Sequence, residues 1–290
     1  MSIDVLQEKI RKLKNPSMID FAVTADQIPA HLIEEEGNMI SAYVRFCREL
    51  MTALKGAVPA LRFSFSAFSL LGQEGLSALA CLLRQAKEMG FYTVLDAPET
   101  NTPWAADRAS ALLCEESPYP CDGVIVSSYI GSDGIKPFLP YCKSDKSVFV
   151  IVRSPNKSAS EFQDLFTGSR LAHMAAADMV NRHGAATIGK CGYSQVAALA
   201  AAGSAGSLRE LRGKYNRVFL LVDGLDYPSG NAKNCSLAFD RFGHGAIVCA
   251  GPSVTGAWRE AQSDGRDYLE QAVTAAERMK KNILRYVNIL

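Results

Sequence analysis

Phe91 to Trp104 reads FYTVLDAPETNTPW, and the fold is decided here. Phe91 to Leu95 are aromatic, β-branched or aliphatic, with no charge among them, which is strand composition. A run that is apolar on both faces suits a parallel strand buried between two layers. The run ends at Asp96, and breakers and polar groups follow: Pro98, Glu99, Thr100, Asn101, Thr102 and Pro103. An acidic residue at the carboxyl end of a buried parallel strand, with a loop after it, is where α/β enzymes keep their chemistry.

Outward from this strand, apolar runs alternate with helical patterns. Strand-like runs fall at Met18 to Ala25, Val58 to Phe65, Gly123 to Ser128, Val148 to Arg153, Ala185 to Ile188, Val218 to Val222 and Ala246 to Cys249. Helical spacing marks Ile40 to Leu54, Gly72 to Met89 (stopped by Gly90), Glu161 to Arg182, Ser194 to Leu211 and Arg266 to Tyr286. The Ala-rich run Gln195 to Ala205 reads as plain helix. Eight strands alternating with helices predict one (β/α)₈ barrel over residues 1–290, with Met1 to Leu13 as a helix across one end. An open doubly wound sheet is the alternative.

Composition narrows the function classes. The 290 residues are 48% hydrophobic and 21% charged, with net charge +1. That balance gives no electrostatic case for nucleic acid or an anionic membrane. No stretch approaches the roughly 18–20 unbroken apolar residues of a membrane span. The start, MSIDVLQEKIRKLK, is a charged amphipathic helix without the apolar core of a signal peptide, so a cytoplasmic protein is expected. The eight cysteines form no CxxC pair and the four histidines are isolated, so neither a metal nor a cofactor is expected.

The segment GQEGLSALACLLRQAKEMGFYTVLDA, Gly72 to Ala97, resembles the second helix and third strand of the orotidine 5′-monophosphate decarboxylase family, in its longer bacterial branch. The likeness runs on through VIVSSYIGSDGIKPFLPYC and is closest in VFVIVRSPNKSASEFQDL, Val148 to Leu165. It implies a barrel, a nucleotide or other small-molecule ligand and a homodimer. In that family the third strand ends Asp-Ala-Lys-Arg-Gly-Asp-Ile, supplying a carboxylate, the proton-donating lysine and a second carboxylate. Here Asp96 stands, Pro98 takes the lysine position and Asn101 that of the second Asp.

The resemblance also implies further site positions. Arg62 falls where the second-strand lysine is expected. Ala22 falls at the first-strand Asp, with Asp26 as the shifted alternative. Ser127 and Asn156 fall at ligand-binding positions. Pro252 replaces the phosphate-gripping Arg after strand eight, and Asp223 and Asp226 follow strand seven where the phosphate would sit. The plain reading of Asp96 with Arg62 is an inherited ion pair. The functional reading is a repurposed pocket completed by Lys190, after strand six, and Asp223. Trp104 reads as packing rather than ligand stacking. Taken together, these departures predict a family member that has lost most or all decarboxylation and binds a ligand. The alternatives are a divergent lyase working through Asp96, Lys190 and Asp223, and a working decarboxylase.

Overall fold

The structure, a computed structural model, describes residues 1–99 and 101–290; Thr100 lies outside the described residues. Among them, eight parallel strands close into a barrel. The strands are β1 (Ser17–Asp20), β2 (Ala60–Ser64), β3 (Tyr92–Asp96), β4 (Gly123–Ser127), β5 (Ser147–Ile151), β6 (Val196–Ala201), β7 (Leu220–Asp223) and β8 (Ala246–Ala250). Each pairs with its sequence neighbours, and β1 closes the ring against β8 and β2. The helices used below are α1 (Ser2–Leu13), α2 (Met39–Leu54), α3 (Gly72–Glu88), α4 (Ala105–Leu113), α5 (Ala172–Gly184), α6 (Ala205–Lys214) and α7 (Tyr268–Leu284).

Strand periodicity sorts the side chains. On β2, Leu61 and Phe63 face the helices, and Phe63 packs against Phe21 with ring centroids 5.3 Å apart. Arg62 therefore points into the barrel, because alternate residues face opposite sides. The same alternation turns Tyr92, Val94 and Asp96 inward. Around the outside, the seam between α7 and α2 is closed by Phe46 of α2 stacked on Tyr268 of α7 at 5.2 Å.

The amino-terminal helix closes the amino ends of the strands. Ile3, Leu6 and Ile10 recur at helical spacing and are fully buried. The Ile3 N–H donates to Gln195 Oε1 at 2.8 Å. Ser2 Oγ is 2.7 Å from the Tyr92 hydroxyl, which also lies 2.6 Å from Ser147 Oγ. With one mouth plugged in this way, the opposite mouth, at the carboxyl ends, is left for chemistry.

The sixth strand corrects the sequence reading. Ala185 to Ile188 is no barrel strand, and Ile188 makes only an isolated bridge with Ser194. The run read as Ala-rich helix is β6, buried at all six positions between β5 and β7. Alanine has the highest intrinsic helix propensity, but propensity is a weak prior that tertiary packing overrides. Helix α5 also starts later than predicted, after a short antiparallel ribbon of Phe166–Thr167 with Arg170–Leu171. The remaining strands differ from the predicted spans only at their ends.

Candidate functional site

The carboxyl mouth gathers Arg62 and several acids. Arg62 Nη2 lies 2.5 Å from Asp20 Oδ2, and Arg62 Nη1 lies 2.9 Å from Asp223 Oδ2. The strand register brings them together: Asp20 sits beside Arg62 on adjacent strands, and Asp223 ends β7 across the barrel. Asp223 is further held by Oδ1, which accepts from the Gly224 N–H at 2.9 Å. Burial pulls the Arg62 pKa down, but the Asp20 and Asp223 carboxylates outweigh it and hold the group above its ordinary value. A guanidinium in this setting is a permanent cation and cannot serve as a proton donor.

Asp96, at the end of β3, is half-buried. Among the described residues the ion-pair partners of Arg62 are Asp20 and Asp223, so the expected Asp96–Arg62 pair is not formed. Burial pushes the Asp96 carboxyl up to about 7, with Arg62 opposing and the Asp20 and Asp223 charges adding to the rise. Beside the Arg62 cluster, Cys249 is fully buried, and burial first of all pushes its thiol up. It is a neutral neighbour.

A second clasp joins the loops after β7 and β8. Asp226 Oδ2 accepts from the Gly251 N–H at 2.6 Å and the Ser253 N–H at 3.3 Å, and Asp226 Oδ1 accepts from the Ser253 hydroxyl at 2.5 Å. Three donors at the end of β8 thus close on an internal carboxylate. Pro252 lies among them and offers no N–H.

The other candidates scatter. Ser127 ends β4, and its Oγ accepts from the Tyr129 N–H at 3.1 Å. Asn156 Oδ1 accepts from the Ser154 hydroxyl at 2.6 Å and lines a cavity of about 410 Å³ over β5 to β7. Pro98 is half-buried, while Asn101 and Trp104 are exposed. Lys190 is corrected outright. It precedes β6 instead of following it, so it lies exposed at the amino-terminal end, where the next residue's N–H donates to Asp4 of α1 at 2.8 Å. It takes no part in the mouth.

Sequence reasoning missed Asp20. Ala22 lies two residues past the end of β1, and Asp26 is exposed and paired with Arg259. The first strand's carboxylate at the mouth is Asp20. The signal was available: like Asp96, it ends a short apolar run. Among the described residues, no group of three or more His, Cys, Asp or Glu is placed to hold a metal, and no helix is long and apolar enough to cross a membrane.

A parallel eight-stranded barrel with charged side chains converging at its carboxyl mouth defines an enzyme-type (β/α)₈ scaffold. No family model matches the chain. It is 24% identical over 285 residues to the orotidine 5′-phosphate decarboxylase of Clostridium novyi, covering 98% of each. It is 28% identical over 221 residues to that of Rhodopirellula baltica, covering 74% of this chain and 73% of the relative. Among solved structures, a putative orotidine-monophosphate decarboxylase from Toxoplasma gondii superposes with a TM-score of 0.83 at 18% identity, covering 98% of this chain and 96% of that one. The orotidine monophosphate decarboxylase of Leishmania donovani gives 0.77 at 21%, covering 99% of each. Over nearly its whole length the chain is similar to orotidine 5′-phosphate decarboxylases, and its fold is that of their solved structures.

Proposed function

We propose that this barrel is a ligand-binding relative of the decarboxylases with little or no decarboxylation of its own. The observation that carries the reading is that, among the described residues, no buried lysine accompanies Asp96. The cation there is Arg62, which does not titrate in the useful range, and among the described residues no lysine is buried. Pro98, at the position where the family carries its lysine, has no ionisable group. General acid catalysis requires an ionisable group within reach of the carbon to be protonated, and is worth about 10²–10⁴-fold.

The Asp226 clasp supports the same reading. Its carboxylate already takes the Gly251 and Ser253 donors, close to where relatives would hold phosphate. Asp20, Asp96, Asp223 and Asp226 against Arg62 make the mouth hostile to a dianion. Remote phosphate binding is a standard source of energy for difficult chemistry, so its loss lowers turnover as well as affinity. The ligand is a small molecule with neutral or cationic groups facing these acids.

A second reading, a divergent small-molecule enzyme, is favoured by one observation: Asp96 near 7 suits general acid–base work. Without Lys190 it would rest on Asp96, Asp20 and Asp223. We further infer a cytoplasmic homodimer, each chain acting as one unit over 1–290. Its interface would include the loop from Asn101 to Asp107, where exposed Trp104 borders a groove of about 670 Å³ with Phe65 and Tyr119.

The test is UMP formation by the protein and by variants. The native chain and Pro98→Lys are expected to be silent, because residues acting as a unit are not restored singly. Pro98→Lys with Asn101→Asp and Pro252→Arg is expected to recover at most weak turnover. Strong turnover from Pro98→Lys alone would contradict the phosphate argument.

A further inference from the structure

Beside the Arg62 cluster, the chain leaving β6 builds a separate constellation. It reads Ala202-Gly203-Ser204-Ala205-Gly206-Ser207, and α6 begins at Ala205. Ser204 is the N-cap of α6, where a serine ordinarily accepts from a backbone N–H inside the first turn. It makes no such bond. Its hydroxyl instead donates to Ser207 Oγ at 2.8 Å.

Ser207 Oγ lies 3.2 Å from His173 Nε2. On the far side of the ring, His173 Nδ1 lies 2.9 Å from the Gln163 carbonyl oxygen and 3.2 Å from Asp164 Oδ1. A carbonyl only accepts, so Nδ1 carries the proton of the neutral ring and Nε2 is left to accept from Ser207. The donors therefore run one way, from Ser204 to Ser207 to His173, with Asp164 behind. Arg153 fixes that carboxylate with two bonds of 2.9 Å, Nε to Oδ1 and Nη2 to Oδ2. His173 is 2% exposed and Ser207 8%, whereas Ser204 is half-buried and lines the cavity of about 410 Å³. A hydroxyl that has handed its proton inward, with its oxygen at a cavity wall, has the arrangement of an activated nucleophile.

We propose that Ser204 is an acyl-accepting nucleophile for a small carboxylic ester, with Ser207 and His173 as its proton relay and Asp164 as the orienting carboxylate. Ser204 Oγ bonds to the acyl carbon while its proton passes to Ser207 and the Ser207 proton passes to His173 Nε2. The carbonyl π pair moves to oxygen and meets the N–H groups that open α6, a helix of ten residues. There is room for it, since a Cβ added at Gly206 would meet nothing within 4 Å. Collapse breaks the ester C–O bond, and the leaving oxygen takes the proton back from His173 through Ser207 and departs as an alcohol. Water then attacks acyl-Ser204 through the same relay and releases the acid.

The test is a fluorophosphonate probe on the intact chain, read by mass, with p-nitrophenyl acetate as the turnover substrate. One probe per chain on Ser204 is expected, with none in Ser204→Ala. His173→Gln should slow labelling at least 100-fold. Because that buried variant risks misfolding, Ser207→Ala and Ser207→Thr provide a gentler pair. The alanine is expected to slow labelling and acetate release alike, and the threonine, which keeps a hydroxyl, to restore both. No adduct on the native chain, an adduct that persists in Ser204→Ala, or Ser207→Ala labelling at the native rate would overturn the proposal.

Discussion

Asp96→Asn should stabilise the protein, and increasingly so as pH rises. The Asp96 carboxyl sits at about 7 in the fold against 3.8 as its ordinary value, with burial the largest cause. A folded pKa above the unfolded one means that the native state binds the extra proton, so stability falls as pH climbs from about 4 to about 7. Linkage with these two values gives a penalty of about 2 kcal/mol at pH 5 and about 4 kcal/mol at pH 8. Asparagine removes the titration. Whatever the amide itself gains or loses in contacts is the same at both pH values and cancels. The advantage of Asp96→Asn over the native chain should therefore grow by about 2–3 kcal/mol between pH 5 and pH 8. Urea unfolding at the two pH values, with equal slopes in urea for both proteins, reads this directly. A change within about 0.5 kcal/mol, well inside the worked value, would refute the claim that this carboxylate is held up by burial.

Three further outcomes follow from the same geometry. Arg62→Met leaves Asp20 and Asp223 buried without their cation and should cost about 3–5 kcal/mol in urea unfolding at pH 7; a loss under about 1 kcal/mol would place those acids in water rather than in the barrel. Asp226→Ala orphans the Gly251 and Ser253 donors and should cost about 1–3 kcal/mol, with no loss if solvent already serves those groups. Light scattering at micromolar protein should give twice 31.4 kDa, and Trp104→Glu should shift it toward the monomer; a native monomer would remove the proposed interface.

Much of the barrel was legible because buried parallel strands carry uninterrupted β-branched and aliphatic runs, as Tyr92 to Leu95 do. β6 was not, because Val196 to Ala201 is mostly alanine and its strand character comes from neighbours on both sides. That single error moved Lys190. With Ala185 to Ile188 taken as the strand, Lys190 followed it and faced the mouth; with β6 at Val196, Lys190 precedes the strand and falls at the plugged end beside Asp4. Asp96 was readable as the polar residue ending an apolar strand, whereas Arg62 and Asp223 were reached through the resemblance. Asp20 has the signature of Asp96 and was lost because the resemblance put the first-strand Asp at Ala22, and spacing across a loop does not report where a strand stops. The Asp226 clasp and the Ser204–His173 relay join segments 25 and 34 residues apart or more, and only the closed barrel brings those loops together.

The most direct measurement of the central claim is single-turnover decarboxylation, with the native protein in excess over carboxyl-labelled orotidine 5′-monophosphate and labelled carbon dioxide collected over hours. Excess protein removes weak binding and slow product release as explanations, leaving only the chemical step. The expected result is release no faster than in buffer, because among the described residues no buried lysine accompanies Asp96 to protonate the carbon that the carboxylate leaves. Release at a rate ordinary for enzymes, roughly 1–10³ per second, would contradict it and would mean that a donor other than the missing lysine reaches the site.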